Sequence, residues 1–169
     1  MGDVKIRDLT EKDAEAVSFI LREGFSWWFE FQRKQHRDVQ WLWDRLGPDI
    51  IRENARRKSE DSKLIVAEID GRPVGYITAS SDLGPKLGEI GIVSVDPEYQ
   101  RRGIGSKLMR AALDFLKSRG VRKIWTTVSS INTPAILYYI KNGFTPEGIL
   151  KSHFAEGIDE ICMGMFLEK

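Results

Sequence analysis

Alternation of apolar and polar residues over Val4–Arg7 predicts a short strand, and Thr10 followed three residues later by Asp13 has the form of a variant capping box opening a helix. Val17, Ile20, Leu21, Gly24 and Trp28 then recur at helical spacing and define one buried face. From Phe25 to Leu46 the pattern turns aromatic, with Trp27, Trp28, Trp41 and Trp43 beside Phe29, Phe31 and His36. It predicts a second helix pair whose large rings either cover one end of a sheet or line a binding pocket. Pro48–Ser59 reads as a further helix with Arg and Glu on its outer face.

Strand patterns follow. Leu64–Ile69 and Pro73–Ser80 flank Asp70-Gly71, a strong hairpin signal. Glu89–Val95 is nearly continuous in apolar character, as expected of a central strand covered on both faces, and Asp96-Pro97 ends it. Ile104, Leu108, Ala111, Ala112 and Phe115 place a helix over Gly103–Arg119, closed by Gly120. Lys123–Val128 is the next strand. A helix capped by Asn132 or Thr133, with Pro134 in its first turn, ends at Asn142-Gly143. Phe144–Leu150 and Glu160–Leu167 are expected to pair across the loop between them. Strands and helices in this order predict an α/β fold with a mixed, mostly antiparallel central sheet and helices on both faces. No repeat or linker divides the chain, so residues 1–169 are expected to form a single domain.

Composition narrows the class. The chain has 169 residues, 41% hydrophobic, and a net charge of +1 that argues against a dedicated nucleic-acid binder. One cysteine, Cys162, permits no intrachain disulfide or cysteine cluster and is expected to be a buried apolar residue. No apolar run approaches the ~20 residues of a membrane span, and the first residues lack the apolar centre of a signal peptide. A cytoplasmic protein without membrane or metal is therefore expected. His36 and His153 lack ligand spacing and read as surface or loop residues.

The neutral average conceals an asymmetry. Between Gln100 and Lys123 stand Arg101, Arg102, Lys107, Arg110, Lys117, Arg119, Arg122 and Lys123 against one acid, Asp114. Such a segment fits a solvated helix face or the binding of a polyanion. Val93–Ser106 favours the second: a strand, a basic turn with Gly103 and Gly105, and a helix start, where unpaired amides and the helix dipole welcome phosphate. It lacks the Gly-Lys-Ser/Thr of a P-loop and has Leu108 where a dinucleotide fingerprint needs a third glycine.

Gln100, Gly103 and Gly105 meet a pattern, Gln/Arg-x-x-Gly-x-Gly/Ala, that resembles the acetyl-CoA-binding motif of the GNAT superfamily of N-acetyltransferases. Asn132, Ala135-Ile136, Tyr139 and Gly143-Phe144 resemble its later signature in the same order and spacing. In layout the chain looks nearest to the ribosomal-protein alanine acetyltransferase branch. The resemblance implies the GNAT acyltransferase fold, acetyl-CoA as cosubstrate, and transfer of acetyl to a primary amine by direct attack in a ternary complex.

Carried over residue by residue, it implies that Val93, Ser94 and Val95 hold the pantetheine arm beside a splay in the sheet. Amides of Arg101, Arg102, Gly103, Ile104, Gly105 and Ser106, behind Gln100, would bind the pyrophosphate. Asn132 would contact the pantetheine side, and Tyr139 would protonate the leaving thiolate, with Tyr138 on another face. Glu89, fourteen residues before Gly103, resembles the glutamate base of the histone-acetylating branch, although a base elsewhere or an ordered water is the alternative. Acceptor recognition would fall to Phe25–Ser59 and the Leu150–Asp159 loop, with a protein N-terminus or lysine preferred and a polyamine or a non-catalytic CoA-binding module as alternatives. A monomer or homodimer fits equally.

Overall fold

The computed structural model describes residues 2–57 and 59–167. Its strands are β1 (Lys5–Asp8), β2 (Ser62–Ile69), β3 (Arg72–Asp82), β4 (Leu87–Val95), β5 (Lys123–Ser129), β6 (Thr145–Ala155) and β7 (Ile158–Phe166). Its helices are α1 (Ala14–Gly24), α2 (Ser26–Lys34), α3 (Gln40–Arg45), α4 (Pro48–Arg56), α5 (Ile104–Ser118) and α6 (Thr133–Lys141). The strands form a seven-stranded sheet in the order β1-β2-β3-β4-β5-β7-β6, parallel at β4–β5 and antiparallel at β1–β2, β5–β7 and β6–β7. The mixed α/β architecture is the one expected. The chain divides into two compact units, residues up to 78 with 92–112, and residues 79–91 with those from 113 onward.

In the first unit, Val17, Ile20 and Leu21 bury the apolar face of α1, while Ile65, Val66, Val74 and Ile77 are buried on both faces of the β2–β3 hairpin. The single helix expected through Trp28 is interrupted at Phe25, where φ −98°, ψ 6° leaves the helical region, so α2 carries Trp28 separately. The Asp70-Gly71 turn has positive φ at both residues, 50° and 80°, as a two-residue hairpin turn requires. Two close approaches set the layers. A Cβ on Gly24 would collide with the Ser94 side chain, and one on Gly75 would stand 3.0 Å from Leu108 Cδ1 of α5. The helix expected over Pro48–Ser59 ends at Arg56, and Lys58 lies outside the described residues.

Thr10 and Asp13 form the expected capping pair, which opens a 3-10 turn before α1. The buried Asp13 carboxylate accepts bonds of 2.8 Å from both the N–H and the hydroxyl of Thr10, and of 2.7 and 2.8 Å from Arg7. Burial alone would raise its pKa. The Arg7 guanidinium and Thr10 outweigh that and hold it below the usual carboxylate range. A depressed folded value contributes stability that is present above the unfolded pKa and lost as pH falls through the folded one. Asp13→Asn should therefore cost about 2 kcal/mol at pH 7, the value of bonds to a charged group. Urea titrations should show the difference shrinking below about pH 4.

In the second unit, Ile124, Val128, Tyr139, Phe144, Ile158 and Met163 are buried. A Cβ on Gly88 would stand 3.0 Å from Leu116 and Val121, so the latter half of α5 lies close on β4. The β4–β5 register comprises Leu87↔Lys123, Gly88↔Ile124 and Glu89↔Trp125, and β4 continues to Val95. β6 and β7 outgrow expectation. β6 extends through Ala155 and β7 begins at Ile158, so the Leu150–Asp159 segment is mostly strand rather than loop. Cys162 is half-buried, more open than its apolar reading implied, because it sits on a sheet face that also leaves Trp125 exposed.

Candidate functional site

The candidate residues fall into two groups, one in each unit. In the first unit, β4 ends in Val93, Ser94 and Val95. Ser94 turns its side chain inward, donating its hydroxyl to the Ile20 carbonyl at 3.0 Å, and Val93 and Val95 are half-buried. Asp96, which sequence reasoning treated only as a strand terminator, is 2% exposed and organises the turn. Its carboxylate accepts from the Glu98 N–H at 3.0 Å and lies 3.5 Å from the Arg72 guanidinium, and its own N–H donates to the Val74 carbonyl at 2.9 Å. The clue was an aspartate before proline, the usual start of a side-chain-capped turn.

After a 3-10 turn over Pro97–Tyr99, Gln100 donates from Nε2 to the Val95 carbonyl at 2.9 Å, tying the basic turn to the end of the strand. Arg101 has φ 59° and Gly103 φ 78°. Left-handed residues at a turn are the backbone geometry that collects successive N–H groups into an anion-binding concavity. Gln100, Arg101, Arg102 and Gly103 are exposed, and the Arg102 guanidinium lies 5.3 Å from the Tyr99 ring centre. Ile104 is buried and anchors α5, with Gly105 and Ser106 half-buried in its first turn. A Cβ placed on Gly103 meets no atom within 4 Å, so the turn faces open space. Amides at a helix start, flanking cations and that open approach fit a pyrophosphate.

In the second unit, Asn132 caps α6, its Oδ1 accepting from the Ala135 N–H at 3.2 Å. Tyr139 is 4% exposed and meets the rings of Tyr138 and Phe144 edge-on at 5.4 and 5.3 Å. Burial pushes its phenol up, against a smaller opposing hydrogen bond from Thr126. It is therefore protonated at neutral pH, as a proton donor must be. Tyr138 is half-buried, and burial raises its phenol as well. Glu89 is half-buried on the face of the sheet shared with Trp125, its register partner, and burial raises its carboxyl.

Sequence reasoning missed Glu160. It lies on β7 at 6% exposure, with its carboxyl pushed up to about 7 by burial. Only its placement opposite Ser129 at the end of β5 makes it distinctive, and no motif encodes that placement.

The aromatic segment packs partly on itself and partly beside an open pocket. Trp28 and Phe29 are buried and meet Trp41 and Trp43 edge-on, while Arg22 stacks 4.2 Å from the Trp43 ring centre beside an open pocket of about 420 Å³. His36 and His153 are exposed, and among the described residues no group of His, Cys, Asp and Glu is placed to hold a metal ion.

Comparison with known proteins gives these groups a common context. Residues 21–144 match the acetyltransferase (GNAT) family. An uncharacterized N-acetyltransferase of Methanocaldococcus jannaschii is 25% identical over 151 residues, covering 86% of this chain and 62% of the relative. The alanine N-acetyltransferase of ribosomal protein bS18 from Escherichia coli is 37% identical over 62 residues, 37% of this chain and 42% of that protein. The chain thus spans less than two thirds of the length of either relative. Among solved structures, the PaiA N-acetyltransferase of Thermoplasma acidophilum in complex with coenzyme A superimposes with a TM-score of 0.78 at 21% identity, covering 98% of this chain and 99% of that one.

Proposed function

The chain belongs to the GNAT acetyltransferase family, and from that premise we propose that it is an acetyl-CoA-dependent N-acetyltransferase acting on a primary amine as a single catalytic domain. The observation that carries the reading is the Gln100–Ser106 turn, held to Val95 by Gln100, with left-handed backbone at Arg101 and Gly103 opening onto α5. Amides from Arg101 to Ser106 bind the pyrophosphate, and Arg101 and Arg102 add charge to it. Backbone groups of Val93, Ser94 and Val95 hold the pantetheine arm, for which the short β4–β5 register and the continuation of β4 to Val95 are the support. Asn132, beyond capping α6, is assigned by the family resemblance a hydrogen bond to the pantetheine side.

Acetyl-CoA supplies the thioester carbonyl that the amine nitrogen attacks. Glu89 accepts the proton of the acceptor ammonium, directly or through water, and its raised pKa suits a base working near neutral pH. Tyr139, kept protonated by burial, donates to the departing sulfur. Positioning of the two substrates and strand amides facing the developing oxyanion supply most of the acceleration. A protein N-terminus or lysine is the acceptor class favoured by likeness to the bS18 enzyme. A small polyamine is the second class, favoured by two carboxyls of raised pKa on one face of the sheet.

Tyr139→Phe tests the reading. It should leave acetyl-CoA affinity within about threefold while lowering amine-dependent thiol release about 100-fold, the usual worth of a positioned acid. A wild-type protein that binds acetyl-CoA and releases no thiol with any primary amine would instead be a CoA-binding module.

A further inference from the structure

In the second unit two buried polar side chains face one another without satisfying one another. Glu160 is 6% exposed, and its carboxyl has no hydrogen-bond or ion-pair partner among the described residues. Ser129 is 8% exposed, and its Oγ is buried with no hydrogen-bond partner among them. The β5–β7 register pairs Ser129 with Glu160, so both side chains stand on one face with Cβ atoms about 5 Å apart. Buried polar groups are normally satisfied. Both of these can accept, and a primary ammonium, with three donors and no acceptor, can donate to both at once and, unlike a water molecule, also neutralises the carboxylate.

The surroundings favour a cation. From β7 the same face carries Cys162, from β5 Thr127 and Trp125, from β6 Leu150, and from β4 Glu89, which the register pairs with Trp125. Glu89, Cys162, Lys123 and Glu147 are its titratable groups; the cation Lys123 lies beyond Trp125, at the end away from Ser129, where Glu147 engages it at 2.7 Å. The adjacent Asp159 points to the other face, where Lys151 and the Ser152 N–H engage it at 2.6 and 3.0 Å. The face opens at Trp125, 38% exposed, passes the half-buried Thr127 and Cys162, and closes at Ser129 and Glu160.

We propose that Glu160 and Ser129 anchor a second ammonium group of the acceptor, which selects the second of the two acceptor classes over the first: a small aliphatic diamine or polyamine reacting through one nitrogen and held by another. The inference rests on the reading in which Glu89 serves the reacting nitrogen. Trp125 and Ser129 are about 13 Å apart along β5, and the backbone positions of Glu89 and Glu160, on the strands to either side of it, are about 16 Å apart, a separation that side chains standing perpendicular to the sheet carry to their carboxyls. One nitrogen cannot reach both carboxyls. A bond of about 2.8 Å at each end leaves about 10 Å between two nitrogens, which extended 1,8-diaminooctane spans at about 11 Å. A carboxyl that burial holds at about 7 is also one that an arriving cation readily ionises.

The probes are 1,8-diaminooctane and octylamine at saturating acetyl-CoA. Wild type should show a KM for the diamine at least about 10-fold below that for octylamine, with similar kcat. Glu160→Gln should raise the diamine KM to the octylamine level and leave kcat and the monoamine unchanged, with Ser129→Ala in between. Equal loss of kcat with both amines would overturn the anchor. So would the same KM advantage appearing with an Ala-Gly-Lys peptide and not with the diamine.

A second readout needs no turnover. In wild type labelled with carboxyl-¹³C glutamate, assigned by its absence in Glu160→Gln, the diamine should lower the Glu160 titration midpoint from about 7 to about 6. An unmoved midpoint overturns the proposal. Absence of acetyl-CoA binding by wild type would defeat the acetyltransferase reading alone and leave this titration to decide the ammonium site.

Discussion

Glu89→Gln lowers turnover about 100-fold at pH 7 while acetyl-CoA affinity stays within about threefold, as expected for loss of a general base without loss of a cofactor contact. The substitution keeps the volume and the half-buried setting of the side chain and removes its ability to take a proton. An acceptor amine with a pKa near about 10 is overwhelmingly charged at neutral pH, so the reaction depends on a group that collects its proton. Burial raises the Glu89 carboxyl, and only its ionised form accepts. The wild-type rate should therefore rise with pH through that raised value. In Glu89→Gln this limb disappears, and the gap to wild type narrows above about pH 9 as the amine increasingly loses its own proton. A variant whose pH–rate profile matches wild type would remove Glu89 from the mechanism and leave ordered water as the proton acceptor.

Gly103→Val should raise the acetyl-CoA dissociation constant at least about 100-fold. Gly103 has φ 78°, and a Cβ there meets nothing within 4 Å, so the damage comes from backbone conformation and not from a clash in the core. A β-branched residue resists left-handed backbone by about 1–2 kcal/mol. The turn relieves this by rotating the peptide planes at the start of α5. Each charge-assisted bond to the pyrophosphate is worth about 1.5–3 kcal/mol, and losing two gives the stated factor. Gly157 provides the control. It has φ 80° at the tip of the β6–β7 hairpin with nothing near its Cβ. Gly157→Val introduces the same kind of strain and should leave acetyl-CoA affinity unchanged in a calorimetric comparison of the two variants.

The sequence disclosed whatever is governed by local rules. Asp70-Gly71 forces a hairpin, Asn132 and Pro134 open a helix, Gly120 and Gly143 close helices with φ 73° and 92°, and Gln100 to Gly105 form a turn that faces anions. Each of these needs only a few neighbouring residues. The break at Phe25 was hidden because Val17 to Trp28 keeps helical spacing across it. The length of the β6–β7 hairpin was hidden because Lys151 to Phe154 are exposed on an outer strand and carry little apolar alternation. Glu160 was the most consequential omission. Its chemistry comes from a register that sets it against Ser129, residues that are thirty-one apart in the chain. Asp96 was visible only as the start of a capped turn, because its contacts with Arg72 and the Val74 carbonyl exist only once β3 and β4 lie side by side.

The anion-facing turn is tested most directly by calorimetric titration of wild type with acetyl-CoA in moderate salt, with ATP as the competing polyanion. Saturable one-to-one binding of acetyl-CoA, weakened by Gly103→Val and not matched by ATP, is the predicted result. Absent binding, or equal affinity for acetyl-CoA and ATP, would contradict an acetyl-CoA-dependent enzyme and reduce the Gln100–Ser106 turn to a basic surface without a specific ligand.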